Sequence, residues 1–300
     1  MATAAKRSSR TSQPSLCYAP RMPEITTGDL NIYYGEAGDT EAPAVVLLHG
    51  FTSDNRMWLP VVDSLIQDYR VIAPDMRGHG FTTAPEDLDS YTMEAYAADL
   101  AALLDALEID VCALVGCSFG GMVALHFAVH HAERVAGLIV SDSSAAYAHP
   151  DYDQKYLERE ARIDSQAELV DRFGTAELGK RAAKDIADPF LAEGIRKRYE
   201  RMSREGFLGA AQVRRERPNL LPVLRERLTM PTLVCIGEDD PVYSASEVLI
   251  RELPDARYLV FKETGHGIPA LKAEPYAREL LQFLDDTEDG APVAGKRFVG

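Results

Sequence analysis

Short apolar runs recur along the chain and alternate with stretches whose apolar residues have helical spacing. The runs predict buried strands, since a strand covered on both faces is apolar at successive positions. The spaced stretches predict helices, and Thr92 is the expected N-cap of one of them. The predicted buried strands cover residues 44–48, 70–75, 111–115, 135–140, 232–236 and 257–261.

This alternation predicts an α/β fold with a mostly parallel central sheet flanked by helices, because parallel neighbours need a crossover connection. Residues 23–25 and 31–34, joined by a turn at 28–29, predict an antiparallel hairpin at the edge. Ser244 and Glu247 have the spacing of a capping box and predict the start of a late helix.

The alternation stops between residues 144 and 228, which are polar, helical in spacing and without a strand-like run. We interpret this segment as a helical cap inserted into the sheet domain. The predicted organisation has a disordered tail (1–22), the core in two parts (23–143 and 229–286), the cap (144–228), and a C-terminal tail (287–300) expected to be disordered.

Residues 1–21 are basic, rich in Ser, Thr and Ala, and contain no acid. No apolar stretch of the length that a secretory signal requires follows them. Their composition resembles a transit peptide weakly; a disordered tail or an over-extended start codon fits it better.

The composition is ordinary for a globular protein of 300 residues, with 46% hydrophobic and 26% charged residues. The formal net charge of −15 argues against a nucleic-acid partner, which requires a basic face. No apolar run approaches the ~18 residues that span a bilayer, so we expect no membrane partner. The sequence leaves the oligomeric state open, with a homo-oligomer among the options.

Three of the four cysteines fall in or beside predicted core strands: Cys112, Cys117 and Cys235, with Cys17 in the tail. Small buried thiols of this kind indicate a reducing compartment, and we expect a cytoplasmic protein. The cysteines and histidines do not form the close clusters typical of metal sites. We expect neither a metal nor a cofactor.

The candidate chemistry centres on the motif G-x-S-x-G, which spans residues 116–120 with Ser118 in the middle. A predicted strand precedes the motif and a predicted helix follows it. In such a strand-to-helix turn, the serine hydroxyl is held out into a cleft and the glycines relieve steric crowding. We therefore predict that Ser118 is a nucleophile.

Asp240 and His266 also follow the C-terminal ends of predicted parallel strands, where the ligand crevice of such sheets lies. A serine needs a base, which a histidine supplies, and a carboxylate orients the imidazole ring. We predict the triad Ser118, His266 and Asp240. Asp142 and Asp239 remain alternatives for the acid.

Five motifs together resemble the α/β-hydrolase superfamily over residues 24–285, with the cap and its Gly206-Phe207 segment resembling the carboxylesterase and enol-lactonase branch. The motifs are His-Gly-Phe at 49–51, Asp-x-Arg-Gly-His-Gly at 75–80, Gly-Cys-Ser-Phe-Gly-Gly at 116–121, Gly-Glu-Asp-Asp-Pro at 237–241 and Gly-His at 265–266. The resemblance implies an oxyanion hole made by the backbone N–H groups of Phe51 and Phe119. It also implies that relatives opening epoxides carry Asp in place of Ser118.

We therefore expect a serine hydrolase that cleaves carboxylic ester or lactone bonds of a small molecule through an acyl-enzyme. A carbon–carbon bond hydrolase or a perhydrolase on the same triad is the alternative, and a ligand-binding protein without turnover is a further one. A peptidase specific for N-terminal proline is disfavoured by the lack of an acidic pair in the cap.

Other polar and aromatic residues have less specific expectations. His49, His79 and Arg77 are expected to shape loops. Four cap residues are candidates for contacting substrate, with plain cap core as the alternative: Phe190, Tyr199, Met202 and Phe207. The cap arginines are expected on a solvated helical face, with binding of a substrate carboxylate as the alternative: Arg159, Arg162, Arg196, Arg198, Arg214, Arg215 and Arg217.

Overall fold

A computed structural model describes residues 23–28 and 30–300. Over these residues the strands form one sheet in the spatial order β1-β2-β4-β3-β5-β6-β7-β8-β9. The strands are β1 Glu24–Thr27, β2 Leu30–Ala37, β3 Ala44–Leu48, β4 Arg70–Pro74, β5 Cys112–Cys117, β6 Val135–Ser141, β7 Thr232–Gly237, β8 Arg257–Phe261 and β9 Gly295–Val299. The predicted tail at residues 1–22 and the turn residue at 29 lie outside the described residues.

The sheet is parallel from β3 to β9, while β1 and β2 form the predicted antiparallel hairpin at one edge. The α/β fold with a mostly parallel sheet is thereby confirmed. Because parallel strands point the same way, the residues that follow β5, β7 and β8 lie together at the carboxyl ends of the strands. Ser118, Asp240 and His266 are found there.

Helices cover both faces of the sheet, and the side chains of β3 alternate between them. Val46 and Leu48 pack into one apolar cluster with α2 and α3, and Val45 and Leu47 into another with α1 and α11. Thr92 caps α2 as predicted, since its hydroxyl accepts from the Ala95 N–H. The flanking helices are α1 Leu59–Leu65, α2 Met93–Ala106, α3 Phe119–His130, α9 Tyr243–Arg251, α10 Ile268–Leu271 and α11 Ala273–Glu288.

The segment between β6 and β7 contains helices and no strand. Its helices are α4 Gln154–Phe173, α5 Thr175–Ala183, α6 Pro189–Glu200, α7 Arg204–Glu216 and α8 Leu224–Arg227. We call residues 144–228 the helical insertion. Apolar side chains of α4, α5 and α7, together with Tyr199 and Met202, form a small core of their own within it. Its division from the rest of the chain as a separate cap stays a prediction.

The C-terminal tail is not disordered, which corrects the expectation for residues after Asp285. Helix α11 continues to Glu288, and β9 then adds to the edge of the sheet beside β8. Val293 and Val299 are buried, and Lys296 pairs with Glu247 at 3.0 Å. A polar tail with few apolar residues is ordered here because an open strand edge supplies backbone partners.

The predicted capping box at Ser244 is also wrong. Helix α9 begins at Tyr243, one residue before that serine, and no side chain caps it. The Ser244 hydroxyl instead accepts from the backbone N–H of Asp153 at the start of α4. A contact with a distant helix has replaced the local one.

No helix in the described part of the chain is both long and apolar enough to cross a membrane.

Candidate active site

Ser118 lies at a sharp turn between β5 and α3. Its backbone has φ 55° and ψ −114°, a combination that residues other than glycine rarely adopt. A Cβ on Gly116 would lie 2.3 Å from the Gly120 carbonyl oxygen, and one on Gly120 would lie 2.3 Å from the Leu48 carbonyl oxygen. The turn therefore closes only because both flanking positions are glycine.

Residues at and after the end of β6 hold this turn in place. The Ser118 N–H donates to the Ser141 carbonyl at 2.8 Å, and the Ser143 hydroxyl donates to the Ser118 carbonyl at 2.7 Å. A Cβ on Gly121 would lie 2.6 Å from the Ser143 Cβ, so the start of α3 packs closely against the residues that follow β6. The hydroxyl of Ser118 is thus mounted on a backbone fixed from two sides.

The structure brings the three predicted triad residues together. His266 Nε2 lies 2.8 Å from Ser118 Oγ, and His266 Nδ1 lies 2.8 Å from Asp240 Oδ2. Ser118 is 5% exposed, whereas the His266 side chain is 30% exposed. When Nδ1 carries the ring proton and donates a hydrogen bond to the carboxylate, Nε2 is unprotonated and can accept the serine proton.

Asp240 is buried at the turn after β7 and faces the imidazole. Its Oδ1 accepts from the Val242 N–H at 2.7 Å. Burial opposes ionisation, but the facing His266 ring outweighs it and holds the pKa of Asp240 below its usual value. A carboxylate in this position can fix the imidazole tautomer and favour an imidazolium.

Of the three candidate acids, Asp240 is the one that bonds to the imidazole ring among the described residues. Asp142 accepts from the backbone N–H groups of Gly267 and Ile268, at 2.9 and 2.8 Å, and so holds the loop behind His266. Burial, and then the charge of Asp240, raise the pKa of Asp142 well above its usual value. Asp239 is exposed. The geometry favours Asp240 as the orienting acid.

Two backbone N–H groups are available beside the serine. Phe119 is the first residue of α3, where an N–H has no acceptor within the helix. Phe51 follows Gly50, on which a Cβ would lie 3.5 Å from the Ser118 Cβ. Among the described residues, neither N–H pairs with an acceptor. Free donors beside a nucleophile can stabilise a developing oxyanion.

The sequence pattern of the alpha/beta hydrolase fold family matches residues 43–273, well over half of the chain. This chain is an α/β-hydrolase. The matched range includes Ser118, Asp240 and His266, so the family resemblance stated from the motifs is confirmed.

Relatives of this hydrolase have several activities. A malate-bound thermophilic esterase from Thermogutta terrifontis is 30% identical with a TM-score of 0.75, covering 89% of this chain and 99% of that one. 3-Oxoadipate enol-lactonase 2 of Acinetobacter baylyi is 27% identical over 74% of this chain and 81% of its own length. Epoxide hydrolase 3 of Xenopus tropicalis is 37% identical, but over 41% of this chain and 34% of its own length.

The histidines of the hydrolase's first two motifs are buried and shape loops, as expected. His49 Nε2 accepts from the Met76 N–H at 3.0 Å, and His79 Nδ1 lies 3.0 Å from the Arg77 carbonyl. Burial lowers the pKa of His49 to about 4 and that of His79 to about 3, so both rings are neutral near pH 7. Arg77 forms a two-fold ion pair with Asp99 at 2.7 and 2.8 Å.

The four predicted substrate contacts have different positions. Phe190 is 89% exposed near the start of α6, which corrects its predicted role, because a side chain facing solvent lines no pocket. Tyr199 and Met202 lie in the core of the helical insertion. Phe207 packs on Phe51, with ring centroids 4.8 Å apart, and so reaches the loop of a predicted oxyanion donor.

Arg159 lies next to Ser118, so its predicted place on a solvated helical face is wrong. It is 8% exposed, and its Nη2 lies 3.4 Å from Ser118 Oγ. A signal was present: Tyr156, Arg159, Glu160 and Ile163 repeat at helical spacing and are all buried. Arg214 and Arg217 are likewise buried, whereas Arg162 and Arg215 are exposed.

Proposed function

We propose that this α/β-hydrolase cleaves carboxylic ester or lactone bonds of a small molecule through an acyl-enzyme on Ser118. The observation that carries the proposal is the continuous hydrogen-bond chain from Ser118 Oγ through the His266 ring to Asp240. A hydroxyl within 2.8 Å of an imidazole whose tautomer is fixed by a carboxylate is suited to lose its proton as it attacks a carbonyl.

The proposed reaction has two halves. Ser118 Oγ attacks the carbonyl carbon while His266 Nε2 takes the hydroxyl proton, and the oxyanion lies against the N–H groups of Phe51 and Phe119. The carbon–oxygen bond to the leaving group breaks, and His266 returns the proton to that oxygen. Water then attacks the acyl-enzyme, giving a proton to His266, and the acid is released as Ser118 regains its own. Asp240 stabilises the imidazolium formed in each half.

The residue type at the nucleophile separates this proposal from epoxide opening. The family resemblance implies that relatives that open epoxides carry Asp where Ser118 stands. A serine that attacks an acyl carbon instead gives an ester that water can hydrolyse.

The test is hydrolysis of p-nitrophenyl acetate by the wild type and the Ser118→Ala variant. We expect kcat/KM to fall by at least about 10³-fold in the variant, because the nucleophile is lost while the fold is kept. Ser165→Ala, an exposed serine on α4, is the matched control and keeps wild-type activity.

A screen of the wild type over aryl esters, lactones and vinylogous diketones defines the bond that is cleaved. Cleavage of the diketones alone favours a carbon–carbon bond hydrolase over the proposed function. Unchanged ester hydrolysis in Ser118→Ala, or no turnover of any substrate by the wild type, contradicts the proposal.

A further inference from the structure

Arg159 of α4 brings a positive charge to the nucleophile. Its Nη2 lies 3.4 Å from Ser118 Oγ and 3.3 Å from His266 Nε2, and its Nη1 donates to Glu160 at 2.7 Å. The two distances to the triad are long for hydrogen bonds, so the guanidinium lies beside these atoms without being tightly bound by them. The triad reaction as proposed above needs no cation at this position.

The helical insertion has more buried positive than buried negative side chains around Arg159. Arg159, Arg214 and Arg217 are buried there, against one buried acid, Glu160. Arg214 pairs with Glu160 as well as with the half-buried Asp164, so Arg159 shares its direct partner.

The acids outside the insertion do not contact Arg159 directly. Arg217 donates to the neutral hydroxyl of Ser144 at 2.8 Å, and the buried Asp240 and Asp142 offset the Arg159 charge only through space. Burying a guanidinium is costly unless an anion contacts it. An anionic group entering beside Ser118 therefore finds a charge that the protein satisfies incompletely.

We propose that Arg159 binds a carboxylate of the substrate, and that the preferred substrates are esters or lactones whose acyl part carries a second carboxylate. This inference rests on the proposed function. A guanidinium offers two parallel N–H donors in the geometry of a carboxylate. Because Nη2 is beside Ser118 Oγ, the second carboxylate lies within a few carbon atoms of the scissile carbonyl.

Binding of that carboxylate also clears the nucleophile. In the structure, Arg159 Nη2 occupies space next to both Ser118 Oγ and His266 Nε2, where an acyl group must enter. A carboxylate that draws the guanidinium toward itself leaves the serine hydroxyl to its hydrogen bond with the imidazole. Neutral esters lack this effect and have to displace the arginine without compensation.

The test compares mono-p-nitrophenyl glutarate, which is anionic, with p-nitrophenyl butyrate, which is neutral. We expect the wild type to favour the anionic ester, and Arg159→Gln to lower the ratio of the two kcat/KM values by about 10- to 100-fold. Arg159→Lys keeps the charge without the paired donors, so its ratio is expected to lie between those of the wild type and Arg159→Gln. Arg162→Gln, exposed on the same helix, is the matched control and leaves the ratio unchanged.

A binding measurement without turnover separates this inference from the proposed function. In the Ser118→Ala protein, glutarate is expected to raise the Tm, whereas neutral glutaramide is not, and the double variant Ser118→Ala/Arg159→Gln loses the response. Equal losses for both esters in Arg159→Gln, or a glutarate response that persists in the double variant, overturn the role of Arg159. Hydrolysis of both esters with no preference also overturns it and leaves the proposed function intact.

Discussion

One buried carboxyl group bonds to the His266 ring and another bonds to the backbone that follows it, so their surroundings give them different roles. Asp240 faces the ring nitrogen at 2.8 Å, and the ring lowers its pKa despite burial. Asp142 instead accepts two backbone N–H bonds from the loop, and burial beside Asp240 raises its pKa. One carboxyl pairs with the ring, and the other supports the backbone of the loop that carries it.

Replacing each acid by its amide tests this division. We expect Asp240→Asn to lower kcat on p-nitrophenyl acetate by about 10³- to 10⁴-fold, because an amide can hold the imidazole in the wrong tautomer. Asp142→Asn is expected to lower it by less than about tenfold, since the amide oxygen still accepts the loop N–H groups of Gly267 and Ile268. A larger loss in Asp142→Asn would assign the orienting role to Asp142.

The sequence was informative for residues whose position follows from strand order. Ser118 and His266 are 148 residues apart, yet each follows a parallel strand, so the common edge of the sheet predicts their meeting. Arg159 belongs to a helix whose docking is set by packing between distant segments. Its residue type suggested solvent, and its spacing with Tyr156 and Ile163 was the better guide.

At the scale of elements, α7 docks the helical insertion onto the core through small residues. A Cβ on Gly209 would lie 2.3 Å from the ring of buried Tyr91, whereas one on Gly194 of α6 would meet nothing within 4 Å. Both glycines lie inside helices of the insertion, so alanine improves helix propensity at each of them.

The two alanine substitutions are therefore predicted to change the free energy of unfolding in opposite directions. Gly209→Ala is expected to lower the free energy of unfolding by about 1–3 kcal/mol and to reduce ester hydrolysis, because α7 and the insertion must move away from Tyr91. Gly194→Ala is expected to raise it by about 0.5–1 kcal/mol without changing activity. Urea unfolding and p-nitrophenyl acetate hydrolysis measure both effects; equal behaviour of the two variants would show that the insertion does not dock in this way.

The elements that the sequence predicted poorly are those that depend on distant partners. Strand β9 is short and polar, and its order comes from the free edge of β8 and from the burial of Val299. The start of α9 lacks the predicted cap, because the helix begins at Tyr243 and Ser244 accepts from the backbone N–H of Asp153, the residue before α4. The buried strands were predicted because their apolar runs are local and continuous.

For the whole molecule, buried titratable groups make stability depend on pH. His49 and His79 have folded-state pKa values of about 4 and about 3, below the ordinary 6.5, so the unfolded chain binds more protons between those values. The folded state is therefore most stable with respect to these two groups above pH 6.5, and this stability is lost as the pH falls and the unfolded chain binds protons. Burial raises the pKa of Asp75 to about 6, so between pH 3.8 and 6 its effect has the opposite sign.

The net expectation is acid destabilisation. Between pH 6.5 and 4, each histidine adds about 1.4 kcal/mol per pH unit to the slope of the unfolding free energy against pH. Below pH 6, Asp75 subtracts about the same amount as one histidine adds. His79→Gln is predicted to reduce the slope of unfolding free energy against pH by about 1.4 kcal/mol per unit in this range. Urea unfolding from pH 4.5 to 7.5 measures the slope; an unchanged slope in the variant would mean that His79 is not buried in its neutral form.

The buried charge of the helical insertion near Ser118 differs in sign from the charge of the whole molecule. The chain has a formal net charge of −15, while the buried charged residues of the insertion are three arginines and one acid: Arg159, Arg214, Arg217 and Glu160. Overall charge acts on approach and solubility, whereas a buried guanidinium acts on the group it touches. A negatively charged protein can therefore still favour an anionic substrate.

Covalent labelling tests the central claim of a serine nucleophile in a working triad most directly. The protein is treated with diethyl p-nitrophenyl phosphate, the p-nitrophenol released is measured, and the modified peptide is identified by mass spectrometry. We predict one equivalent of p-nitrophenol and a single diethylphosphoryl group on Ser118, with neither seen in Ser118→Ala and labelling strongly slowed in His266→Ala. Labelling of another residue, or unchanged labelling in Ser118→Ala, would contradict the account.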